Sequence, residues 1–541
     1  MRAFRTLVGH FFGRFFDKES LSPQGETETN VVQILSLLAV PGMGMSFWML
    51  HASAPGWPLV TERFFFVAYS MIVMGFVMIF EWDALFPDRR DYLVLMPLPI
   101  RLPVVFLAKL VALAMFLGLF AVDVNLFGVL LFPVATNAPD LGNAFLAHLV
   151  TVLAGGLFMA LAAAALQGVL IVCLSGKLFR RVSAVLQCVL MAALVMVLFL
   201  VPMISVNLRR LVEQNSPSLA WLPPFWFLAL YEWIYPAGPT PVALGDLAPT
   251  AVKSVGIAAA VFLAAYLAGY RRHTRTAIDA AETSPTGPGR LRAFVGRLLD
   301  RTVLNHPLQR AAFHFISQTI ARSLKHRLFL ATYGGFGAAV AISTLGSGRS
   351  GLLPLPLTLS FFLVSGLRAA FNFPSELQAN WAFQITDQDR RTECLAATRK
   401  WIAIWGILPL FALLAPVEFI FFPWTTAVFH IAFGVTLSLV LMQIMFFSFR
   451  KVPFTCSYFP GKVNLVWLSV LYLYGFTTYS FTMSGLEGWL ADSVLRAAAF
   501  FGLATFVYRA LGRVREREVG IMLSLDFEDA PDPIVRTLNL T

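Results

Sequence analysis

The sequence predicts an all-α polytopic membrane protein: about 12 transmembrane helices in two six-helix repeats, each preceded by an amphipathic helix. Three observations predict it. Of 541 residues, 58% are hydrophobic and 13% charged, whereas soluble domains carry about 25% charged residues. Single soluble cores stop growing at roughly 250–300 residues, so the solvent for this apolar excess is lipid. Finally, the apolar residues fall in runs near the ~20 residues that cross a bilayer as a helix, and bases fill alternate loops between them.

The runs lie near 31–52, 62–81, 104–133, 143–174, 182–205, 251–270, 327–346, 352–371, 401–422, 424–449, 464–483 and 489–508. Bases precede the first (Arg2, Arg5, Arg14, Lys18). They recur in every second loop: Arg89, Arg90 and Arg101; Lys177, Arg180 and Arg181; the 271–326 stretch; Arg390, Arg391, Arg399 and Lys400; Arg450, Lys451 and Lys462; Arg513, Arg515 and Arg517. The intervening loops hold few bases, chiefly Arg209, Arg210 and Arg349. The positive-inside rule then places both termini in the cytoplasm, in a bacterial-type inner membrane. The same distribution explains the net charge of +11 without a nucleic-acid partner. The first twenty residues interleave bases with apolar residues and show no cleavage site, which argues against a signal peptide.

The stretch 271–304 reads as a cytoplasmic linker, because "RRHTRTAIDAAETSPTGPGR" is polar and rich in Pro, Gly, Ser and Thr. It divides a first half, 1–270, from a second, 305–512, with a tail at 513–541. Phe4, Leu7, Val8, Phe11, Phe12, Phe15 and Phe16 recur at helical spacing over 3–17; Leu308, Ala312, Ile316, Ile320 and Leu324 do so over 307–325. Each reads as a helix lying on the cytoplasmic membrane surface. The halves also share Asp88-Arg89-Arg90 and Asp389-Arg390-Arg391 after their second spans, which implies two parallel repeats.

The loop "EWDALFPDRRDYLVLMPLPIRLPVVFLAK" resembles those of ABC-2-type ABC transporter permeases. The resemblance covers the whole chain in topology and the two loops in motif. It implies that the amphipathic helices are elbow helices and that cytoplasmic coupling elements lie at 82–102 and 372–400. A separate ABC ATPase, in two copies that carry ATP and Mg, would bind there. The coupling residues would be Glu81, Asp83, Phe86, Asp88, Arg89, Arg90, Asp91, Asp389, Arg390 and Arg391. In the first loop the charged groups serve as solvated handles, while Trp82, Leu85, Phe86 and Leu93 to Leu95 serve as an apolar anchor. The same loop also reads as an ordinary solvated turn. Two departures stand out: the family usually has six spans per chain and dimerises, and the second loop lacks "PLP".

The chain has no Walker A sequence: "SGKLF" and "PGKVN" lack its spacing and its Ser or Thr. No cofactor or metal is expected on this chain, and the four cysteines show no ligand spacing. Inside the spans, ionisable residues are costly and mark function. Asp123 with Asn125 in the third span, and Glu418 in the ninth, are the candidate pathway residues; a hydrated position at a helix end explains them equally. "WLPPFWFLALYEWIYP" reads as an external re-entrant or interfacial helix, whereas the second half has only "TTYSFTMSGLEGWLAD" at the matching place, so the repeats differ on the outside. Ser350 in "GRSG" with His430 as base is a weak protease pattern, since a turn explains the serine.

The expected function is therefore the permease of an ATP-driven exporter. The alternative is an ion-coupled secondary transporter of the major facilitator type, which shares the six-plus-six topology. Its usual Gly-x-x-x-Asp-Arg-x-Gly-Arg loop is absent from "ALFPDRRDY". A membrane scaffold or enzyme is the third class.

Overall fold

A computed structural model of the chain describes residues 2–16, 27–52, 59–82, 95, 97, 100–213, 217–236, 245, 247–279, 290–346, 348–375, 377, 380–386, 391–456, 465–521 and 525. The regular structure among them is helical. It divides into two compact units, Met1–Pro285 and Thr286–Thr541.

The first unit runs through α1 (Arg2–Phe16), α2 (Thr27–Ala52), α3 (Val60–Phe80), α4 (Leu102–Ala135), α5 (Leu141–Cys173) and α6 (Gly176–Glu213). A 3-10 turn at Pro217–Trp221, α7 (Pro223–Ile234) and α8 (Ala248–Asp279) complete it. Helix α3 is its core, buried along most of its length and lying against α4, α5, α6 and α7. Asp140 caps α5 by accepting from Asn143 N at 3.0 Å. Small residues then let neighbours approach α5 closely. A Cβ at Gly156 would stand 2.9 Å from Ser70 Oγ and Met74 Cγ, and one at Gly168 2.9 Å from Ala265 Cβ on α8. Such close backbone approach is how helices associate in lipid, where burial of apolar surface drives nothing.

The second unit contains α9 (Arg290–Thr302), α10 (Pro307–Arg322), α11 (Leu324–Leu345), a 3-10 turn at Gly348–Gly351, α12 (Leu355–Ala370) and α13 (Asn380–Thr386). Helix α14 (Arg391–Ile402) passes through a π turn, Ala403–Ile407, into α15 (Leu408–Phe421). Then come α16 (Trp424–Met445) and α17 (Leu465–Thr477), which passes through a second π turn, Thr478–Thr482, into α18 (Met483–Ala491). Helix α19 (Val494–Ile521) ends the unit. The first π turn sits where Pro409 has no N–H to give the Trp405 carbonyl; Leu408 N instead reaches back to Ala403 O.

Among the described residues, nine helical stretches are long and apolar enough to cross a membrane: Val60–Phe80, Pro103–Ala135, Leu141–Cys173, Arg181–Val201, Ala248–Gly269, Leu324–Leu345, Thr392–Phe421, Trp424–Met445 and Val494–Val519. The chain is a multi-pass α-helical membrane protein. Helix α12 is apolar but spans 16 residues.

Helices α1 and α10 lie at the predicted positions and bury the predicted faces in part. Leu7, Phe11 and Phe15 of α1 are buried, with the Phe15 ring 5.0 Å from Phe116 of α4. On α10 the buried stripe is Gln309, Ala312, Phe313 and Ile316, displaced around the helix from the expected one by the bulk of Phe313. Four boundaries differ from expectation. The 271–304 stretch is helical to Asp279 and again over α9, whose Asp300 meets His314 of α10 at 2.9 Å. The 372–400 stretch contains α13 and most of α14, so Arg399 and Lys400 are helical. The helix of the eleventh run continues to Ala491, past the expected end of that run at 483 and into the start of the twelfth. The tail is helical to Ile521, and Arg515 on it is buried, donating to Phe449 O at 3.2 Å.

The two units pack by similar pairings. In each, the amphipathic helix (α1, α10) lies on the helix of the third predicted span (α4, α14). The second-span helix (α3, α12) touches the third, fourth and fifth. The fourth (α5, α16) touches the sixth (α8, α19) and the short helix before it (α7, α18). They differ at the first span: α2 lies on α4, but α11 lies on α12.

Candidate functional site

Where the chain leaves its second-span helix, each unit ties it down. After α3, Trp82 is fully buried; its indole N–H donates to Ser183 Oγ on α6 at 2.8 Å, and its carbonyl accepts from Gln167 Nε2 on α5. After α12, Phe454 N donates to Phe371 O at 3.2 Å, Ser375 N to Phe454 O at 3.1 Å, and Asn380 Nδ2 to Thr455 O at 2.5 Å. His326 Nε2 reaches Phe373 O at 3.0 Å and its ring meets Phe454 edge-on. In the first unit the partners belong to the fourth and fifth spans; in the second they belong to the turn between those spans and, through His326, to the first span.

The amphipathic helix α10 of the second unit is held by polar contacts as well. Lys400 Nζ on α14 donates to Val303 O at 2.7 Å and to Gln309 Oε1 at 2.6 Å, and Gln309 Nε2 donates to Glu393. Trp401 Nε1 donates to Ser317 Oγ at 2.8 Å. The α10–α14 contact is thus a clasp with paired donors and acceptors, not only a greasy one.

Two buried polar clusters lie on the fourth-span helices. In the first unit Arg63 donates through Nη1 to Glu232 Oε1 at 2.8 Å and to Tyr235 O at 2.7 Å, with its guanidinium 4.5 Å from the Tyr231 ring centroid. Tyr231 OH lies 3.3 Å from His148 Nδ1, two turns into α5. Burial, chiefly, and the neighbouring Glu232 and Tyr235 push the Tyr231 phenol up against the opposing pull of Arg63, so it stays protonated. In the second unit His430, two turns into α16, holds Nδ1 2.6 Å from Glu487 Oε1 on α18, and its Nε2 lies 3.6 Å from Glu418 Oε1 on α15. All three are buried. Two carboxylates flank one imidazole, so this cluster can hold and pass a proton. Among the described residues no group of three or more His, Cys, Asp or Glu is placed to hold a metal ion.

Of the expected coupling residues, Glu81 is buried rather than a solvated handle, because it caps α3 inside the unit with its N–H on Val77 O. Asp83, Phe86, Asp88, Arg89, Arg90, Asp91, Asp389 and Arg390 lie outside the described residues, as does the side chain of Arg391. Asn125 is a tie between helices: its Nδ2 donates to Ser70 Oγ at 3.0 Å, and Ser70 donates on to Val152 O at 2.8 Å. Asp123 is half-buried beside Tyr69, with Oδ2 buried and unbonded. Glu418 is joined to His430 and Glu487, and the imidazole therefore serves that pair and not Ser350. Sequence reasoning missed Arg63, Glu232, His148 and Glu487; the costly charge inside an apolar stretch was the available signal for Arg63 and Glu232.

No protein-family profile, characterised protein or solved structure matches this chain.

Proposed function

We propose that the chain is the permease of an ATP-driven ABC-2-type exporter, two six-span halves fused in one chain. The twelve spans would be α2 to α6 and α8 in the first half. In the second they would be α11, α12, α14 with α15, α16, α17 with α18, and α19. The observation that carries the reading is the repeated anchoring of the chain that follows the second-span helix. In each unit the chain leaving the second span is hydrogen-bonded to the fourth- and fifth-span region, while an amphipathic helix grips the third. A push on that chain reaches three spans at once, which is what a coupling element needs. Two copies of a separate ATPase, holding ATP and Mg, would push there, in an inner membrane with both termini cytoplasmic. The test is affinity purification of the tagged chain in mild detergent, with mass spectrometry of what accompanies it. A Walker-motif ATPase recovered with the native chain and depleted with Asp83→Lys and Asp88→Lys is the expected result; recovery of none sinks the reading.

The cluster of Glu418, His430 and Glu487 favours a second reading, an ion-coupled secondary transporter. Proteoliposomes with an imposed proton gradient separate the two. Uptake driven by the gradient and lost in Glu418→Gln and Glu487→Gln supports proton coupling, whereas a gradient without effect removes it.

A further inference from the structure

We propose that a cavity in the second unit, bordered by Arg399 and Lys400 at the end of the 372–400 stretch, is a binding site for a phosphate group. The cavity, about 500 Å³, opens between α14, the end of α16 and the last turns of α19. That volume suits a small polar ligand or a lipid headgroup. Four of its lining side chains are basic (Arg399, Lys400, Arg509 and Arg513) and one, Glu516, is acidic.

The arrangement differs from an ordinary fringe of bases pointing into water. Arg399 is half-buried and oriented by Gln443, whose Oε1 accepts from Nη1 at 3.3 Å; its Nε is buried with no acceptor. Arg515, buried on α19 but outside the cavity lining, has Nε and Nη1 unbonded while Nη2 donates to Phe449 O; it lies within electrostatic reach of Arg399 and Arg368 and is opposed by Glu516. Guanidinium N–H groups that are buried without an acceptor are destabilising until one meets them. Lys400 adds charge but has two of its three hydrogens engaged by Val303 O and Gln309. Arg509 and Arg513 are exposed and make no ion pair among the described residues, so both are available to close over a ligand.

The donors match a phosphate. A planar guanidinium gives paired N–H groups to two phosphate oxygens, and arginine is weakly hydrated enough to do so at a membrane surface. The position matches too, because α14, α16 and α19 carry here the basic ends that the positive-inside rule assigns to the cytoplasmic face, where anionic headgroups lie. Gly512 keeps the cavity open. A Cβ there would stand 3.8 Å from Gln443 Nε2 and 4.0 Å from Arg399 Nη1, so a larger residue fits on the helix yet fills the space.

Two sources can supply the phosphate, a phospholipid or a soluble phosphate, and one experiment separates them. The full chain, delipidated in detergent, is offered dioleoylphosphatidylglycerol or dioleoylphosphatidylcholine and retained lipid is counted by native mass spectrometry; inorganic pyrophosphate is tested by thermal shift. Variants are Arg399→Gln with Arg513→Gln, and Gly512→Phe, which leaves every charge in place. Arg450→Gln, outside the cavity, is the control. Retention of the anionic lipid over the zwitterionic one by about tenfold, lost in both variants and kept in the control, supports the site with a lipid occupant. A pyrophosphate-dependent rise in melting temperature with the same variant pattern supports it with a soluble occupant. Should the arginine pair fail to fold, Gly512→Phe alone decides. Neither probe telling wild type from Gly512→Phe, or an equal loss in Arg450→Gln, overturns the proposal.

Discussion

The indole N–H of Trp82 donates to Ser183 Oγ across 2.8 Å, so the residue just past α3 is fixed to the opening turns of α6, 101 positions later in the chain. Trp82 is fully buried, and its carbonyl is held as well by Gln167. Whatever acts on the loop beyond it acts through this joint. Trp82→Ala should destabilise the detergent-solubilised chain by about 3–5 kcal/mol, and Trp82→Phe by about 1 kcal/mol for the lost hydrogen bond. Equal melting temperatures for the two variants would show that the indole N–H and the ring bulk matter differently from this account.

Arg63 and Glu232 form an ion pair with side chains 2% and 3% exposed. Removing one partner strands the other, so Arg63→Met or Glu232→Gln should each cost about 3–5 kcal/mol. The double variant should cost less than the sum. A double-mutant cycle on thermal unfolding reads the coupling directly.

Two alanine substitutions should move stability in opposite directions. At Gly156 a methyl would meet Met74 and Ser70 at 2.9 Å, and Gly156→Ala should destabilise by about 1–3 kcal/mol. At Gly256, on α8, nothing lies within 4 Å, and Gly256→Ala should stabilise by about 0.5–1 kcal/mol through helix propensity. Thermal unfolding of both checks the pair.

Lys400→Met should open the clasp between α10 and α14 at a cost of about 1–3 kcal/mol. If the coupling reading is right, recovery of the partner ATPase should fall as well. A loss of stability with unchanged recovery would confine Lys400 to a structural part.

Much of the helical framework was legible because hydrocarbon thickness imposes a length on apolar runs. A helix lies over each of the twelve, and α1 and α10 were readable from three-four spacing. What was not legible arises between segments far apart in the chain. His430 and Glu487 are 57 residues apart and Arg63 and Glu232 are 169 apart, and composition carries no sign of which will meet. The middle of helix α18 fell between two apolar runs because Ser484, Gly485, Glu487 and Gly488 dilute its hydropathy, although Ser484 and Glu487 are buried in the unit. Phe313 was passed over because a strict four-residue repeat counted Ala312 and Ile316 and skipped the aromatic between them. Glu81 looked solvated only because it adjoins charged residues.

The π turn at Ala403–Ile407 has a geometric consequence for Glu418, eleven residues further on. An α-helix advances about 100° per residue, and the wide turn inserts one residue's worth of lag between α14 and α15. Helix α15 is therefore out of phase with α14, and the azimuth at which Glu418 leaves the helix is set at the turn. Deleting a single residue there would leave a continuous span but swing the carboxylate through about 100°, away from His430. The imidazole's second neighbour is thus held in bearing by a backbone irregularity three turns distant.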